Sequence, residues 1–315
     1  MLLLFRGEIM QDSPEAVIFD IKHYAIHDGP GIRTTVFFKG CPLNCGWCHN
    51  PEGINPVPEI FIRSSRCNEG CISCLEVCPQ DAITKTSHSS ISIDRTKCNL
   101  CGLCESACSF GALELVGKKM SVSEIMREIE KDRIFFEESG GGATLSGGEP
   151  FSDPFFLKAL LDRLSSKNIH VVVDTSGFFI YEKFSHLIEK VDMFLFDMKI
   201  MDTQMHKKYT GQSNELVLEN LKKITGSGKS VAARIPLIAD INDSEKNIKD
   251  TCEFLRKLDN IIRVHILPYH KGGEAKHKRL GRPESKNSFK APSEEKIESV
   301  KKIISGYGFS VKVGG

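Results

Sequence analysis

The sequence predicts an α/β protein built on a parallel sheet, with a smaller cysteine-rich insertion. Outside residues 61–115, short apolar segments alternate with segments whose apolar residues recur at helical spacing. Such alternation favours a parallel sheet with right-handed crossover helices. Inside residues 61–115 the alternation stops and eight cysteines are concentrated. The length of 315 residues accommodates two domains, or one large α/β domain with an insertion, around a buried core.

Six segments are predicted to be strands, and two of them, Ile169–Asp174 and Met193–Asp197, are continuous apolar runs, as strands buried on both faces should be. The six segments are Thr34–Phe38, Ala143–Ser146, Ile169–Asp174, Met193–Asp197, Val231–Ile235 and Arg263–Leu267. Six other segments have helical spacing, namely residues 121–137, 154–166, 181–190, 214–226, 244–257 and 293–305. Residues 271–292 are rich in Lys, Gly and Pro, which predicts a loop.

Charge and hydropathy exclude several classes of protein. Lys and Arg total 42 and Asp and Glu total 41, so the composition indicates neither a nucleic acid nor a membrane surface as partner. The apolar opening Met1–Phe5 is followed by Arg6 and Glu8, which makes it too short for a signal peptide. No later stretch reaches the roughly 18–20 apolar residues of a membrane span. We therefore expect a soluble cytoplasmic protein without disulfides.

Cys41, Cys45 and Cys48 form the most informative motif, with the spacing C-x3-C-x2-C. A four-iron, four-sulfur cube has four irons, and this loop ligates only three of them. The fourth iron is then open to a small molecule, as in catalytic metal sites. Zinc also binds thiolates, but a structural zinc needs a fourth ligand and His49 is poorly placed to supply it. The spacing therefore favours an iron–sulfur cluster over zinc.

Two further cysteine runs repeat between residues 67 and 108. They are Cys67-x3-Cys71-x2-Cys74-x3-Cys78 and Cys98-x2-Cys101-x2-Cys104-x3-Cys108. Each resembles the bacterial ferredoxin run, in which the fourth cysteine ligates the other cluster. The resemblance implies an α+β insertion with one [4Fe–4S] cluster on Cys67, Cys71, Cys74 and Cys108 and another on Cys98, Cys101, Cys104 and Cys78. An extra residue before Cys71, and Ser109 where a proline is usual, remove no ligand. Zinc ribbons need two separated pairs, which these runs fit poorly.

Five other motifs accompany the three-cysteine loop and Arg234 along the chain. They are Asp28–Arg33 (Asp-Gly-Pro-Gly-Ile-Arg), Ser146–Pro150 (Ser-Gly-Gly-Glu-Pro), Asp174–Gly177 (Asp-Thr-Ser-Gly), Asp197–Lys199 (Asp-Met-Lys) and Leu267–His270 (Leu-Pro-Tyr-His). This ordered set resembles the glycyl radical enzyme activating enzymes of the radical S-adenosylmethionine (SAM) superfamily. The resemblance implies a partial (β/α)6 radical SAM barrel in residues 1–60 and 116–315, with the ferredoxin-like insertion at residues 61–115.

An activity and its partners follow from the same resemblance. A reduced cluster passes one electron to SAM, and the resulting 5′-deoxyadenosyl radical takes hydrogen from a backbone glycine of a partner glycyl radical enzyme. The cofactor carries the hard chemistry, and the protein orients the reacting atoms. We expect three [4Fe–4S] clusters, SAM, an anaerobic cell, and reduced ferredoxin or flavodoxin as the electron donor.

The resemblance also implies roles for residues at the ends of the predicted strands, where α/β barrels place their chemistry. Backbone groups at Gly147 and Gly148 hold the amino group of SAM, Glu149 follows them, and Lys199 binds the SAM carboxylate. The remaining expected site residues are Trp47 and His49 near adenine, Asp174 and Asp197 with a monovalent cation, and Asp28, Arg234 and His270 at the catalytic centre.

Two other functions are weighed against this one. A ferredoxin-type electron carrier without SAM chemistry has no use for Asp28–Arg33, Ser146–Pro150 and Lys199 in order along a barrel. A radical SAM maturase of another protein substrate resembles enzymes whose extra cysteines are C-terminal, whereas here none follows Cys252. Cys252 lies in a segment with helical spacing, which predicts a buried, inert thiol. The activating enzyme is the favoured function, and the sequence does not identify the glycyl radical enzyme.

Overall fold

The computed structural model describes residues 14–85, 91–282 and 289–314. In these ranges the strands are β1 Glu15–Ala25, β2 Arg33–Phe38, β3 Glu59–Ile62, β4 Ile83–Lys85, β5 Ile91–Ile93, β6 Leu113–Val116, β7 Lys118–Ser121, β8 Gly142–Gly147, β9 His170–Thr175, β10 Met193–Asp197, β11 Ser230–Leu237, β12 Ile261–Pro268 and β13 Val311–Val313. The α-helices are α1 Ser73–Glu76, α2 Leu103–Ser106, α3 Val122–Glu130, α4 Arg133–Ser139, α5 Pro154–Ser166, α6 Tyr181–Ile188, α7 Thr203–Thr210, α8 Glu215–Gly226, α9 Glu245–Leu255, α10 Gly272–Arg279 and α11 Glu294–Gly306.

Nine of these strands form one sheet in the order β13-β12-β11-β10-β9-β8-β2-β1-β7. The strands from β2 to β13 in this order are parallel to their neighbours, and all six predicted strands are among them. The edge formed by β1 and β7 is antiparallel and was not predicted. The sheet is therefore mixed, with the predicted parallel series as its main part.

The two faces of the sheet are covered differently. Val171 and Val173 belong to the large apolar core beneath the helices. Val172, between them in sequence, joins Leu195 and Ala232 in a small separate cluster. Successive side chains of a strand point to opposite faces, so this second cluster lies on the inner face. A parallel sheet with helices outside and a small apolar cluster inside is the partial barrel expected from the family resemblance.

The helix predicted over residues 121–137 is interrupted, and this part of the prediction was wrong. The N-terminus of α3 is stabilised by a reciprocal capping box between Ser121 and Glu124. The interruption lies between α3 and α4, at Asp132. The Asp132 carboxylate is buried, accepts a hydrogen bond from Thr34 Oγ1 at 2.5 Å and lies 2.6 Å from His23 Nδ1. These contacts with β1 and β2 hold Asp132 in a turn.

The loop predicted over residues 271–292 was also wrong in part, because it contains α10; residues 283–288 lie outside the described ranges. The helix is held by tertiary contacts that composition does not reveal. A Cβ on Gly273 would lie 2.3 Å from the carbonyl oxygen of Cys48, so the helix rests directly on the three-cysteine loop. Lys276 Nζ bonds Asn50 Oδ1 at 2.8 Å and Glu52 Oε1 at 2.5 Å.

The insertion begins with β3 and ends with β6, which pair with each other in antiparallel orientation. The predicted limits of the insertion, residues 61 and 115, lie within these two strands. It contains the β4–β5 hairpin and two one-turn helices, α1 and α2, which carry Cys74 and Cys104. Its apolar core is small and consists of Ile60, Ile83, Ile91, Ile93, Ala112 and Leu113 together with those two thiols.

Among the described residues, every helix is too short or too polar to cross a membrane. The apolar opening at residues 1–5 lies outside the described ranges.

Candidate active site

A cavity of about 420 Å³ opens at the carboxyl ends of the parallel strands. It brings together twelve of the predicted site residues, namely Cys41, Cys45, Trp47, Cys48, His49, Gly147, Gly148, Asp174, Asp197, Lys199, Arg234 and His270. The sequence motifs that carry them are up to 229 residues apart, from Cys41 to His270. Parallel strands end at one edge of a sheet, which explains why these side chains meet.

The three-cysteine loop is fixed by backbone hydrogen bonds on both sides. Cys41 N donates to Ile54 O at 3.0 Å, and Gly46 N donates to Tyr209 O at 3.1 Å. Burial raises the pKa of all three thiols, that of Cys48 to about 12. Thiolates are stable here only beside a compensating positive charge, which is what cluster irons supply. The loop therefore fits an iron–sulfur cluster.

Charged side chains from neighbouring strand ends alternate in sign across the cavity. Lys199 Nζ lies 2.7 Å from Asp197 Oδ2, and Arg234 Nη1 lies 3.1 Å from Asp174 Oδ2. Ser146 Oγ donates to the same Asp174 oxygen at 2.7 Å. Burial raises the pKa of Asp174 to about 6, although Arg234 opposes the rise. These pairs provide both a cation and anions for a zwitterionic ligand.

Some buried polar atoms in this group have no hydrogen-bond partner among the described residues. They are Asp197 Oδ1 and the Nε and Nη1 atoms of Arg234, although Nη1 is ion-paired with Asp174. The Arg234 Nε–Asp197 Oδ1 distance is 3.7 Å, which is too long for a hydrogen bond. Buried polar atoms are nearly always satisfied in folded proteins, so a polar ligand in the cavity is the natural partner for them.

Aromatic rings form the opposite side of the cavity. The Trp47 ring packs against Tyr209 and Phe289, each with ring centroids 5.9 Å apart. His49 and His270 meet edge to face at 4.3 Å. Burial and the neighbouring His270 lower the pKa of His49 to about 4, so its imidazole is neutral at pH 7. This side of the cavity offers flat, largely apolar surface.

Gly147 and Gly148 have a packing role that the sequence did not reveal. A Cβ on Gly148 would lie 2.4 Å from Gly40 O and 2.6 Å from Gly53 O. Gly147 has φ of +105°, which side-chain-bearing residues rarely adopt. The end of β8 is thus pressed against the backbone that flanks the three-cysteine loop, so the two glycines position that loop as well as lining the cavity.

Glu149 does not line the cavity. Its buried carboxylate accepts hydrogen bonds from Thr175 Oγ1 at 2.7 Å, Ser176 N at 3.0 Å and Ser176 Oγ at 2.6 Å. Burial nevertheless raises the pKa of Glu149 to about 7. The structure therefore places Glu149 behind the cavity, where it joins β8 to the turn after β9. Its predicted contact with SAM stays a prediction, and in this structure the three donors hold its carboxylate away from the cavity.

Asp28 also lies outside the cavity lining. Its carboxylate accepts from Thr35 Oγ1 at 2.7 Å, and its carbonyl oxygen accepts from Thr144 Oγ1 at 2.7 Å. The following glycine, Gly29, packs against Val172 on the inner face of the barrel, since a Cβ there would lie 2.9 Å from Val172 Cγ2. Asp28 is therefore held beneath the Asp174–Arg234 pair, whose pKa values it influences.

Other residues near the cavity were missed by sequence reasoning. Tyr269 lines it beside His270, and Asn242 Nδ2 donates to the carbonyl oxygen of Lys199 at 2.8 Å. Asn242 follows the β11 strand by five residues in a polar turn, a weak signal shared by many loops. Its role in fixing the backbone of Lys199 becomes visible only in three dimensions.

The eight cysteines of the insertion form two groups. Cys67, Cys108 and Cys71 are the neighbours whose charges help to raise the pKa of Cys74. The other four, Cys78, Cys98, Cys101 and Cys104, surround one small cavity. Within the described ranges, no three His, Cys, Asp or Glu side chains are grouped as a single metal ion requires. Each group nevertheless combines three thiols of one run with the fourth of the other, as the ferredoxin resemblance implies.

Comparisons with known proteins agree with this geometry. The Radical SAM superfamily model matches residues 97–255, and the 4Fe-4S dicluster domain model matches residues 58–118. The trans-4-hydroxy-L-proline dehydratase activating enzyme of Clostridioides difficile is 42% identical over 95% of this chain and 99% of its own. The (2S)-3-sulfopropanediol dehydratase activating enzyme of Klebsiella oxytoca is 39% identical over 87% of this chain and 88% of its own. Streptococcus suis SuiB, solved with its precursor peptide SuiA, has a TM-score of 0.51 at 13% identity over 87% of this chain and 46% of its own, which shows the fold alone.

The fold and the cavity define a radical SAM enzyme with a dicluster domain. More narrowly, the chain belongs to the glycyl radical enzyme activating enzymes. It is a radical SAM oxidoreductase that uses iron–sulfur clusters and SAM and acts on a glycyl radical enzyme. The family membership confirms the favoured function over the electron-carrier and maturase alternatives.

Proposed function

We propose that this activating enzyme carries three [4Fe–4S] clusters in the cytoplasm of an anaerobic cell. One is held by Cys41, Cys45 and Cys48, and the other two lie in an inserted module at residues 61–115. The observation that supports this most directly is that three thiols, one buried and two half-buried, share one cavity with Lys199 and with polar atoms of Asp197 and Arg234 that lack a hydrogen-bond partner among the described residues. That combination suits a cluster with an open iron and a zwitterionic ligand.

The protein's own residues bind and orient SAM in this proposal. Lys199 binds the carboxylate, because its ammonium faces the cavity and is fixed by Asp197. Backbone groups beside Gly147 and Gly148 face the amino group, as the lack of side chains there permits close approach. Once loaded, the reduced cluster supplies the electron for reductive cleavage of SAM, which leads to the glycyl radical of the partner.

The remaining side chains complete the site. Trp47 and His49 provide the flat surface for adenine, and His270 with Arg234 faces the entering glycine segment. A monovalent cation beside Asp174 and Asp197 is part of the proposal, since Asp197 Oδ1 is an acceptor without a hydrogen-bond partner among the described residues.

Asp28 and Glu149 act as positioning residues here. Asp28 supports the Asp174–Arg234 pair from below, and Glu149 fixes the turn that follows Asp174. Neither touches the cavity, so we assign them no direct contact with SAM.

Reduced ferredoxin or flavodoxin is the proposed electron donor, and the clusters of the insertion carry its electrons to the cavity. Purely structural sites are commonly made with zinc, whereas the grouping of the thiols here matches a two-cluster ferredoxin. The relay thus explains why an enzyme with a complete SAM cavity also keeps eight further cysteines.

The SAM-cluster assignment is tested by replacing Cys41, Cys45 or Cys48 with Ala. Each variant is expected to lose SAM cleavage while retaining about eight irons, on the basis of four irons per cluster. Cys252→Ala is the matched control, because Cys252 is buried in the outer core away from the cavity and should lose neither iron nor activity. SAM cleavage at the normal rate in all three loop variants would contradict the assignment.

A further inference from the structure

The two cluster sites of the insertion lie at different distances from the barrel. The strands β3 and β6 pair from Glu59 with Val116 to Ile62 with Leu113. Glu59 marks the barrel end, because Lys39 Nζ contacts its Oε2 at 3.1 Å and Arg282 Nη2 contacts its Oε1 at 2.8 Å. Ile62 therefore marks the far end.

The Cys98 group lies at the barrel end of this pair of strands. Ile60, next to Glu59, lines the small cavity that Cys78, Cys98, Cys101 and Cys104 surround. On the partner strand, Leu115 N donates at 3.0 Å to Glu105 Oε1, next to Cys104. This group is the proximal one.

The Cys67 group lies at the far end. Arg63, just beyond Ile62, donates its N–H to Ala112 O at 2.7 Å. Arg66, which precedes Cys67, approaches Gly111, where a Cβ would lie 3.4 Å from Arg66 Nη1. In the relay proposed above, the distal Cys67 group is therefore the entry point, and the proximal Cys98 group lies between it and the barrel.

A basic groove of about 930 Å³ lies beside the distal group, between the insertion and α10. Its charged lining residues are Arg63, Arg66, Arg95, Lys278 and Arg279, and no acidic residue lines it within the described ranges. The whole chain is almost neutral, with 42 basic and 41 acidic residues, so this charge is a local feature.

Part of this charge has no ion-pair partner among the residues that the structure describes. Arg63 pairs with Glu114, and Arg95 Nη2 donates to the carbonyl oxygens of Ile60 and Leu280. Arg66, Lys278 and Arg279 form no ion pair with any other described residue; the first two are exposed and Arg279 is half-buried. Three cations thus remain available to an external anionic group.

We propose that this groove docks the acidic face of a one-electron carrier protein, which delivers its electron to the distal Cys67 cluster. The proposal rests on the relay proposed above. In the transfer, the carrier is oxidised by one electron and the distal cluster is reduced by one. Complementary charge accelerates and orients such brief encounters, whose interfaces are small.

The position of the groove favours a carrier over the glycyl radical enzyme. A glycine substrate has to enter the barrel cavity, and α10 separates that cavity from the groove. Gly273 and Lys276 of α10 face the three-cysteine loop, while Lys278 and Arg279 line the groove. Exposed Phe110, two residues after Cys108, adds an apolar contact beside the distal group.

A triple charge reversal, R66E/K278E/R279E, tests the docking surface. The matched control is K118E/K119E/K183E, which changes the net charge equally at exposed lysines of β7 and α6. SAM cleavage is measured against the concentration of reduced flavodoxin at low and high salt. We expect the groove variant to need at least about 10-fold more flavodoxin for half-maximal rate at low salt, with the difference shrinking at high salt. The control should match the unmodified enzyme.

Cleavage driven by a small chemical reductant should be normal in both variants, and full iron content confirms intact clusters; R66Q/K278Q/R279Q should show a smaller defect of the same kind. Equal flavodoxin dependence in the groove variant and the control would overturn the docking proposal. So would weaker binding of the glycyl radical enzyme with normal flavodoxin dependence. A failure of the relay itself is distinct, because it appears when the cysteines of the Cys98 group are replaced.

Discussion

The barrel and the insertion both hold sulfur ligands, but apolar packing supports them very differently. The barrel core is continuous beneath its helices and includes fully buried Phe156, Phe194 and Phe196. Among its described residues, the insertion buries six apolar side chains and two thiols in its core, with partly buried apolar residues packed around them. A core of that size supplies little net stability, so cluster binding is part of the folding free energy of the insertion.

The thiols of the two regions also differ in their surroundings. Burial raises the pKa of the barrel thiols and also that of Cys74 and Cys104 in the insertion, whereas hydrogen bonding from Ser73 lowers the pKa of Cys71. Cys101 is exposed, whereas none of the three barrel thiols is; Cys41 and Cys48 are half-buried, as is Cys71. The insertion therefore brings one cluster ligand to the surface, which the barrel loop does not. This difference suits one region for radical chemistry and the other for receiving electrons.

Of the changes considered, removal of iron is expected to have the largest effect, because it should affect the stability of the two regions differently. Anaerobic chelation should leave the barrel folded but unfold the insertion, because only the insertion lacks a sufficient apolar core. Hydrogen exchange should then show full loss of amide protection across residues 67–108 and retained protection in β9, β10 and β11. Equal loss of protection in both regions would show that their stabilities are not separate.

Substitutions at the Lys199–Asp197 pair sharpen the comparison by affecting the barrel alone. Lys199→Ala and Asp197→Ala should both weaken SAM affinity without loss of iron. A charge-assisted contact is worth about 1.5–3 kcal/mol, so the loss is about 10- to 150-fold. Calorimetry of SAM binding measures it, with exposed Lys207→Ala on α7 as the control. Unaltered SAM affinity in both variants would show that Lys199 and Asp197 have a structural role and do not bind SAM.

A smaller effect concerns the pH dependence of barrel stability. Burial raises the pKa of Glu149 from 4.5 to about 7, so the folded protein favours the neutral carboxyl. That contribution is fully present below about pH 4.5 and is lost as the pH rises through about 7. Unfolding of the barrel should therefore become easier by about 2 kcal/mol between pH 5 and pH 7. Glu149→Gln should reduce this slope, leaving a smaller one of the same sign from Asp174, and an unchanged slope in that variant would assign the effect to other groups.

Much of the barrel was predictable because strands alternate with helical patterns along the chain, β9 and β10 are apolar on both faces, and the motifs follow the strand ends. The positions of Lys199, Asp174 and His270 around one cavity follow from that order alone. The antiparallel strand β1 was missed, because its half-buried pattern lacks the continuous apolar run of a central strand. The helix α10 was missed because the contacts that hold it are remote in sequence. Gly273 packs on Cys48, and Lys276 contacts Asn50 and Glu52, all more than 200 residues earlier.

The orientation of individual side chains was the least predictable feature. Glu149 shares a motif with the cavity glycines, yet Thr175 and Ser176 draw its carboxylate away from the cavity. Similarly, the break at Asp132 depends on Thr34, which belongs to a different part of the chain. Motif spacing identifies which residues meet, whereas local donors decide which way each side chain turns.

The relay from insertion to barrel is the central claim, and a comparison of electron donors tests it most directly. In Cys98→Ala/Cys101→Ala, the rate of SAM cleavage is measured with reduced flavodoxin and with a small chemical reductant. We expect a large loss of rate with flavodoxin and a nearly normal rate with the small reductant, which reaches the barrel cluster directly. Equal loss with both donors, while the barrel stays folded and SAM remains bound, would contradict the relay.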